Sequence, residues 1–281
     1  MRVLDTVDAM AEACRSAQRP LGLVPTMGYL HQGHLALVRR ARGENAALAV
    51  SIFVNPTQFG PGEDLPTYPR DMDRDLALLK KEGADLVFAP SVGEMYPQGM
   101  NTWVEVQGLS QRLEGEYRPG HFRGVATVVA KLLNIVRPDR AYFGQKDGQQ
   151  TAVVKRLVKD LNMGVDVVVV PTVREADGLA MSSRNVHLSE EERRAASVLY
   201  HALRGAKRLW EGGQHDGEML RGAVRRVLEK EPLVGKIDYV SVADLATLEE
   251  LDTATIPAMV SVAAWLGKTR LIDNVVLGAD S

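Results

Sequence analysis

Short apolar runs and amphipathic helical stretches alternate along the first part of the chain. Leu21-Gly22-Leu23-Val24 is unbroken apolar, the pattern of a strand buried on both faces of a parallel sheet. Residues 47–54 form a second, β-branched run that ends in Asn55-Pro56, a strand feeding a loop. Further short strands are expected at 86–89, 141–143 and 165–170, and 102–106 alternates like an edge strand. Between them, 8–18, a stretch from His34, 72–82 closed by Gly83, 125–136 and 149–161 carry helical spacing. This β-α-β succession predicts an α/β fold with a Rossmann-like parallel sheet over residues 1–174.

After about residue 175 the pattern changes. Helices are expected at 190–210 and 218–230. Strands at 237–242, 259–266 and 269–276 follow, the last two joined by a hairpin at Leu266-Gly267-Lys268. Strands with no helix between them predict a smaller C-terminal α+β domain, 175–281, with an antiparallel sheet that covers the site.

Composition narrows the class. The 281 residues carry 34 basic and 36 acidic side chains, a formal charge of −2, which argues against bulk electrostatic binding of nucleic acid. Cys14 is the single cysteine, so no intrachain disulfide can form. The first residues show no signal-peptide apolar core, and the longest apolar runs are strand-length. A cytoplasmic protein with no membrane or nucleic-acid partner is the expectation.

Candidate chemistry gathers at strand ends. Pro25-Thr26-Met27-Gly28-Tyr29-Leu30-His31-Gln32-Gly33-His34 follows the first long strand and enters a helix. Ligands of α/β sheets bind at the carboxyl ends of strands, and a helix N-terminus there suits phosphate. His-x-x-His sets both imidazoles on one helix face, roughly 60° apart. Packing histidines and a zinc site are the other readings. Zinc needs three or four ligands, and His121, His187, His201 and His215 form no matching pair.

Gly144-Gln145-Lys146-Asp147 lies at another strand end and offers a turn, a cation and a carboxylate. Met181-Ser182-Ser183-Arg184 offers two hydroxyls and a guanidinium, the makings of a phosphate clamp. Gln58 and Gln150 offer neutral amides to a small polar substrate. Each alone also reads as a polar turn or linker. Asp71, Asp73 and Asp75 read as a metal cluster or as a helix start that complements the dipole. No G-x-G-x-x-G follows the first strand, which disfavours a nicotinamide dinucleotide.

The His31-Gln32-Gly33-His34 segment resembles the His-x-Gly-His signature of nucleotidyltransferases and class I aminoacyl-tRNA synthetases. The fuller set is similar to the pantoate–β-alanine ligase family. It comprises Val54-Asn55-Pro56-Thr57-Gln58-Phe59, Tyr68-Pro69-Arg70, Arg118-Pro119-Gly120-His121-Phe122, Phe143–Asp147, Asp177–Asn185 and Thr269-Arg270-Leu271-Ile272-Asp273-Asn274, in order along nearly the whole chain. The Met181-Ser182-Ser183-Arg184 loop stands where the synthetases carry Lys-Met-Ser-Lys-Ser, so the resemblance implies that Arg184 supplies the charge a lysine supplies there.

The resemblance implies ATP-dependent condensation of (R)-pantoate and β-alanine through a pantoyl adenylate, releasing AMP and pyrophosphate. It implies that Met27 to His34, Gly144 to Asp147, Val173 and Met181 to Arg184 contact ATP. His34 would be a proton donor, acting with His31, Lys146 and Arg184. Gln58 and Gln150 would hold pantoate, with Gln58 also near β-alanine. Mg²⁺, with Asp75 as a candidate ligand, and a cytoplasmic homodimer are implied too. A transferase acting on a phosphorylated small molecule and a silent nucleotide-binding module are the competing expectations. Because an acyl adenylate is water-sensitive, either 55–68 or the C-terminal domain is expected to close over the site.

Overall fold

The computed structural model describes residues 1–278. Its first part runs β1 (Arg2–Leu4), α1 (Val7–Arg15), β2 (Leu21–Thr26), α2 (Gln32–Glu44), β3 (Ala47–Ile52), α3 (Met72–Lys81), β4 (Leu86–Phe88) and α4 (Val92–Met95). It continues α5 (Glu114–Tyr117), α6 (His121–Val136), β5 (Arg140–Gly144), α7 (Gly148–Asp160) and β6 (Asp166–Val170). The six strands form one sheet in the order β1-β4-β3-β2-β5-β6, every pairing parallel.

Alternation along the strands divides the core into two layers. Leu21 and Leu23 of β2 point to a cluster built from α1, α6 and α7. Val24, with Leu48 and Val50 of β3, points to one built from α2 and α3. Helices on both faces make the strands nearly uniformly apolar, which is why the runs were readable as buried strands. From β2 the chain turns to β3 on one side, and later returns to β5 on the other. The switch point therefore lies between the carboxyl ends of β2 and β5, where a parallel sheet opens a crevice.

The second part contains α8 (Glu190–Ala195), α9 (Val198–Glu211), α10 (Gly217–Leu228), β7 (Val234–Asp244), β8 (Ala258–Leu266) and β9 (Thr269–Leu277). The three strands form an antiparallel sheet in sequence order, with β8 paired along its length to β9. Leu199, Leu203, Leu220 and Val224 cover it and close a separate apolar core with Val240, Val260 and Val262. The whole is a Rossmann-like parallel sheet with a small antiparallel sheet domain after it.

Two local expectations differ from the structure, and one strand was not expected. Residues 102–106 form no strand, because Val104 gives its N–H to Thr127 Oγ1 of α6 at 3.0 Å instead of to a ladder. The helix expected at 190–210 is two helices. At the junction the Ser197 hydroxyl donates to Arg194 O, offering the backbone a local alternative to the helical ladder. Strand β1 was unforeseen, since three residues at a sheet edge carry no readable period.

Candidate active site

The carboxyl ends of β2 and β5 border a cleft of about 200 Å³. Met27, His31, Gly33 and His34 line one side, and Gly144, Lys146 and Asp147 another. Val173, Met181, Ser182, Ser183 and Arg184 approach from the chain that leaves β6. Gln58 and Gln150 complete it. Lys146, Ser182 and Arg184 also border an outer cavity of about 900 Å³ that runs between the 60–67 loop and β9.

Five residues of the expected nucleotide contacts lie off the cleft. Leu30 is fully buried in the core under α2. Gly28 and Tyr29 turn the chain with positive φ, and Gln32 is exposed and accepts from Arg39. Gln145 turns toward β9, where its Nε2 donates to Asn274 Oδ1 at 2.8 Å.

His31 is the residue before the first turn of α2 and His34 lies within that turn. Gly33 donates its N–H to His31 Nδ1 at 3.1 Å, and His31 donates its own to His34 Nδ1 at 3.3 Å. The ring centroids are 4.0 Å apart. Burial is the main reason both imidazoles are hard to protonate; Lys146 adds to it for both and His31 adds to it for His34, while Asp147 opposes it. Their pKa values fall to about 4 for His31 and about 3 for His34. A neutral imidazole that accepts at Nδ1 carries its proton on Nε2. The pair therefore presents two neutral N–H donors, not two cations. It also takes up the Gly33 N–H, so the imidazoles replace part of the helix's own anion-binding capacity.

Lys146 and Arg184 bring positive charge to the cleft, as does Arg118. Lys146 Nζ lies 3.3 Å from Asp147 Oδ1. Burial would raise the Asp147 carboxyl, but Lys146 holds it below its ordinary range. Arg184 is held by Asp64 through two hydrogen bonds, Nε to Oδ2 at 2.7 Å and Nη2 to Oδ1 at 3.0 Å. Next to it, Glu63 takes Arg118 in the same two-pronged way at 2.9 and 2.5 Å. The 60–67 loop is thus fastened to the Ser182–Arg184 turn and to the end of α5.

Gln58 is buried, and its side-chain amide has one partner at each end. Its Oε1 accepts from Asn55 Nδ2 at 3.1 Å, and its Nε2 approaches Met27 Sδ at 3.2 Å. Its carbonyl meets His121 Nδ1 at 2.8 Å. Arg118 can only donate to His121 Nε2, at 3.3 Å, so the His121 proton sits on Nδ1 and is given to Gln58. Burial, helped by Arg118, lowers His121 to a pKa of about 4 and keeps it neutral. Gln149 spends both ends of its amide on the 109–114 segment, while its neighbour Gln150 lines the cleft.

Asp75 has a different task from the one its acidic neighbours suggested. Only 1 % exposed, it accepts Tyr29 N at 2.6 Å and Leu30 N at 2.8 Å, one on each carboxylate oxygen. It shapes the turn that delivers His31. Among the described residues, no three His, Cys, Asp or Glu side chains converge as a metal site. With Asp75 bonded to backbone and Asp147 paired to Lys146, these residues do not form a protein cage for Mg²⁺.

Asn55, Tyr68, Arg118 and His121 stand in sequence motifs that assign them no task, and Glu63 and Asp64 stand in none. The only local sign of those two was a pair of acidic residues in a Gly- and Pro-rich loop.

The fold and cleft define a class: Rossmann-like α/β proteins whose switch point gathers donors and cations for a polyanion. Within it, the family model described as pantoate-beta-alanine ligase matches residues 2–276. The pantothenate synthetase of Roseiflexus sp. (strain RS-1) is 59% identical over 279 residues, covering 99% of this chain and 100% of that protein. The crystal structure of pantothenate synthetase from Thermus thermophilus superposes with a TM-score of 0.93 at 50% identity, over 98% of this chain and 99% of that one. The pantoate-beta-alanine ligase of Francisella tularensis, solved in complex with beta-gamma ATP and β-alanine, gives a TM-score of 0.81 at 35% identity, over 100% and 99%. The chain belongs to the pantoate–β-alanine ligase family. It is a ligase, and pantoate and β-alanine are the molecules it joins.

Proposed function

We propose that this chain condenses (R)-pantoate with β-alanine at the expense of ATP, in two steps. The pantoate carboxylate displaces pyrophosphate from the α-phosphorus of ATP, giving pantoyl adenylate. The β-alanine amine then attacks the acyl carbon and AMP leaves. One observation carries the reading: the His31 and His34 donors, Lys146 and Arg184 border the same cleft as the amides of Gln58 and Gln150. The Francisella tularensis relative with beta-gamma ATP and β-alanine supports the choice of co-substrate and amine.

In this reading catalysis is positioning and electrostatics. The Nε2–H groups of His31 and His34 donate to phosphoryl oxygens that gain charge as the α-phosphorus is attacked. Lys146 and Arg184 stabilise the departing pyrophosphate. Met27, Gly33, Gly144, Val173, Met181, Ser182 and Ser183 shape the nucleotide's bed. Gln58 and Gln150 orient pantoate while leaving its carboxylate free of a salt bridge, which would weaken it as a nucleophile. Mg²⁺ comes with the triphosphate, whose oxygens suit it better than the side chains around Asp75.

We further propose a division near residue 174, a homodimer and a cytoplasmic setting. No helix among the described residues is long and apolar enough to cross a membrane. The reaction is tested by ATP–pyrophosphate exchange with pantoate present and β-alanine absent. Pantoate-dependent exchange is expected. Exchange only with a phosphorylated substrate, or none at all, would overturn the reading.

A further inference from the structure

The Thr269–Asn274 motif has no task in the reaction as proposed, yet its last residue reaches the cleft. Asn274 lies on β9 of the small sheet and is 4 % exposed. Its Nδ2 donates to two backbone carbonyls of the neighbouring domain, Gln145 O at 2.9 Å and Lys146 O at 2.8 Å. Its Oδ1 accepts from Gln145 Nε2 at 2.8 Å. The Gln145–Asp147 turn has no side-chain cap of its own, and neither has the start of α7 that follows. Asn274 instead holds the turn from a distance, through the turn's carbonyls rather than its N–H groups.

Asn274 is itself fixed. Its N–H donates to Asp273 Oδ1 at 2.8 Å, and its carbonyl accepts from Arg174 Nη2 at 3.3 Å. Arg174 and Asp273, the latter 3 % exposed, join through two hydrogen bonds of 2.6 and 3.0 Å. The approach is as close as glycine permits. A Cβ on Gly148 would lie 2.5 Å from Met259 Sδ and 3.2 Å from Asn274 Nδ2. The chain after β6, the small sheet and the lysine turn are therefore one hydrogen-bonded unit.

We propose that Asn274 is a positioning residue for adenylation: it fixes the backbone of the turn from which Lys146 meets the triphosphate. The small sheet then builds the site as well as bordering it. Lysine is a flexible point charge, so its placement depends on its backbone. A displacement of about 1 Å can cost about 100-fold in rate. The proposal rests on Lys146 facing the triphosphate.

The test is ATP–pyrophosphate exchange with pantoate, on the full chain, well below each variant's unfolding midpoint. The variants are Asn274→Ala, Asn274→Asp, Lys146→Ala and the double Lys146→Ala/Asn274→Ala. Asn274→Asp keeps the size and one acceptor and loses both donors, so it serves if the alanine variant fails to fold. Both Asn274 variants are expected to lower the saturated exchange rate about 10- to 100-fold, with KM for pantoate within about 3-fold. The double variant is expected to fall no further than Lys146→Ala. Exchange within 2-fold of wild type in the folded Asn274 variants, beside a large loss in Lys146→Ala, overturns the proposal and leaves the reaction intact. So do losses that multiply in the double variant. No loss in Lys146→Ala overturns both this proposal and the assigned task of Lys146.

Discussion

Both carboxylate oxygens of Asp64 engage the Arg184 guanidinium, joining the 60–67 loop to the turn that follows β6. Burial would raise the Asp64 carboxyl, but Arg184 holds it below its ordinary range, so the contact is a charged pair. Arg184 cannot offer the same N–H groups to Asp64 and to a phosphate. In the proposed reading, a nucleotide phosphate at Arg184 must displace the carboxylate or use the guanidinium's remaining N–H groups.

Asp64→Asn should therefore free Arg184. A partly exposed pair is worth about 0.5–1 kcal/mol, so KM for ATP should fall roughly 2- to 5-fold. Without ligands, the loop should also be cleaved faster by protease. An unchanged or higher KM for ATP would show that Asp64 does not compete.

Asp75→Asn should destabilise the protein by about 2–3 kcal/mol, because the new NH₂ faces a backbone N–H that had a carboxylate partner. Urea denaturation measures this. The turn carrying His31 should loosen, lowering exchange activity at any Mg²⁺ concentration. Restoration of activity by added Mg²⁺ would instead make Asp75 a metal ligand.

Acid should weaken the fold through three histidines. His31, His34 and His121 have native pKa values of about 4, 3 and 4, against an ordinary value of 6.5. Below pH 6.5 the unfolded chain binds protons that the native state refuses. Their contribution is thus complete above pH 6.5 and is lost as pH falls toward 4. Replacing His121 with Gln should flatten stability against pH in that window by up to about 1.4 kcal/mol per pH unit. Urea midpoints from pH 4.5 to 7 check the slope, and an unaltered slope would mean His121 is protonated in the native state.

Gly124→Ala separates helix propensity from tertiary fit. In an isolated helix the change would gain about 1 kcal/mol. Here the new Cβ would collide with the Thr57 carbonyl and lie 2.7 Å from Gln58 N, and backbone cannot swing aside. A net loss of about 1–3 kcal/mol is expected. With Gln58 displaced, KM for pantoate should rise at least about 10-fold. A more stable enzyme with unchanged KM would contradict this packing.

Gln150→Arg tests the neutral amides. A guanidinium beside the pantoate carboxylate would bind it more tightly and reduce its nucleophilicity. Adenylation should slow at least about 10-fold while KM for pantoate falls. A normal exchange rate would refute the argument.

The sequence alone determined the local framework. Apolar runs mark β2 and β3 because helices cover both sheet faces, and the His31–His34, Gly144–Asp147 and Met181–Arg184 segments stand beside strand ends or on a following loop. Period and turn chemistry act between neighbours, so they survive in one dimension. They also misled: the alternation at 102–106 reflects contact with α6 rather than strand pairing.

Tertiary structure decided how those groups are charged and held. Burial made His31 and His34 neutral donors, although their residue type allowed cations. Asp75 became a backbone acceptor under the turn. Asp64 reached Arg184 across 120 residues of sequence, and Asn274 reached Gln145 and Lys146 across 129 and 128. Such partners leave no period, because nothing along the chain fixes which distant side chains will meet. Only the packing of the small sheet on the parallel one, and of the 60–67 loop on the turn after β6, brings them within hydrogen-bonding distance.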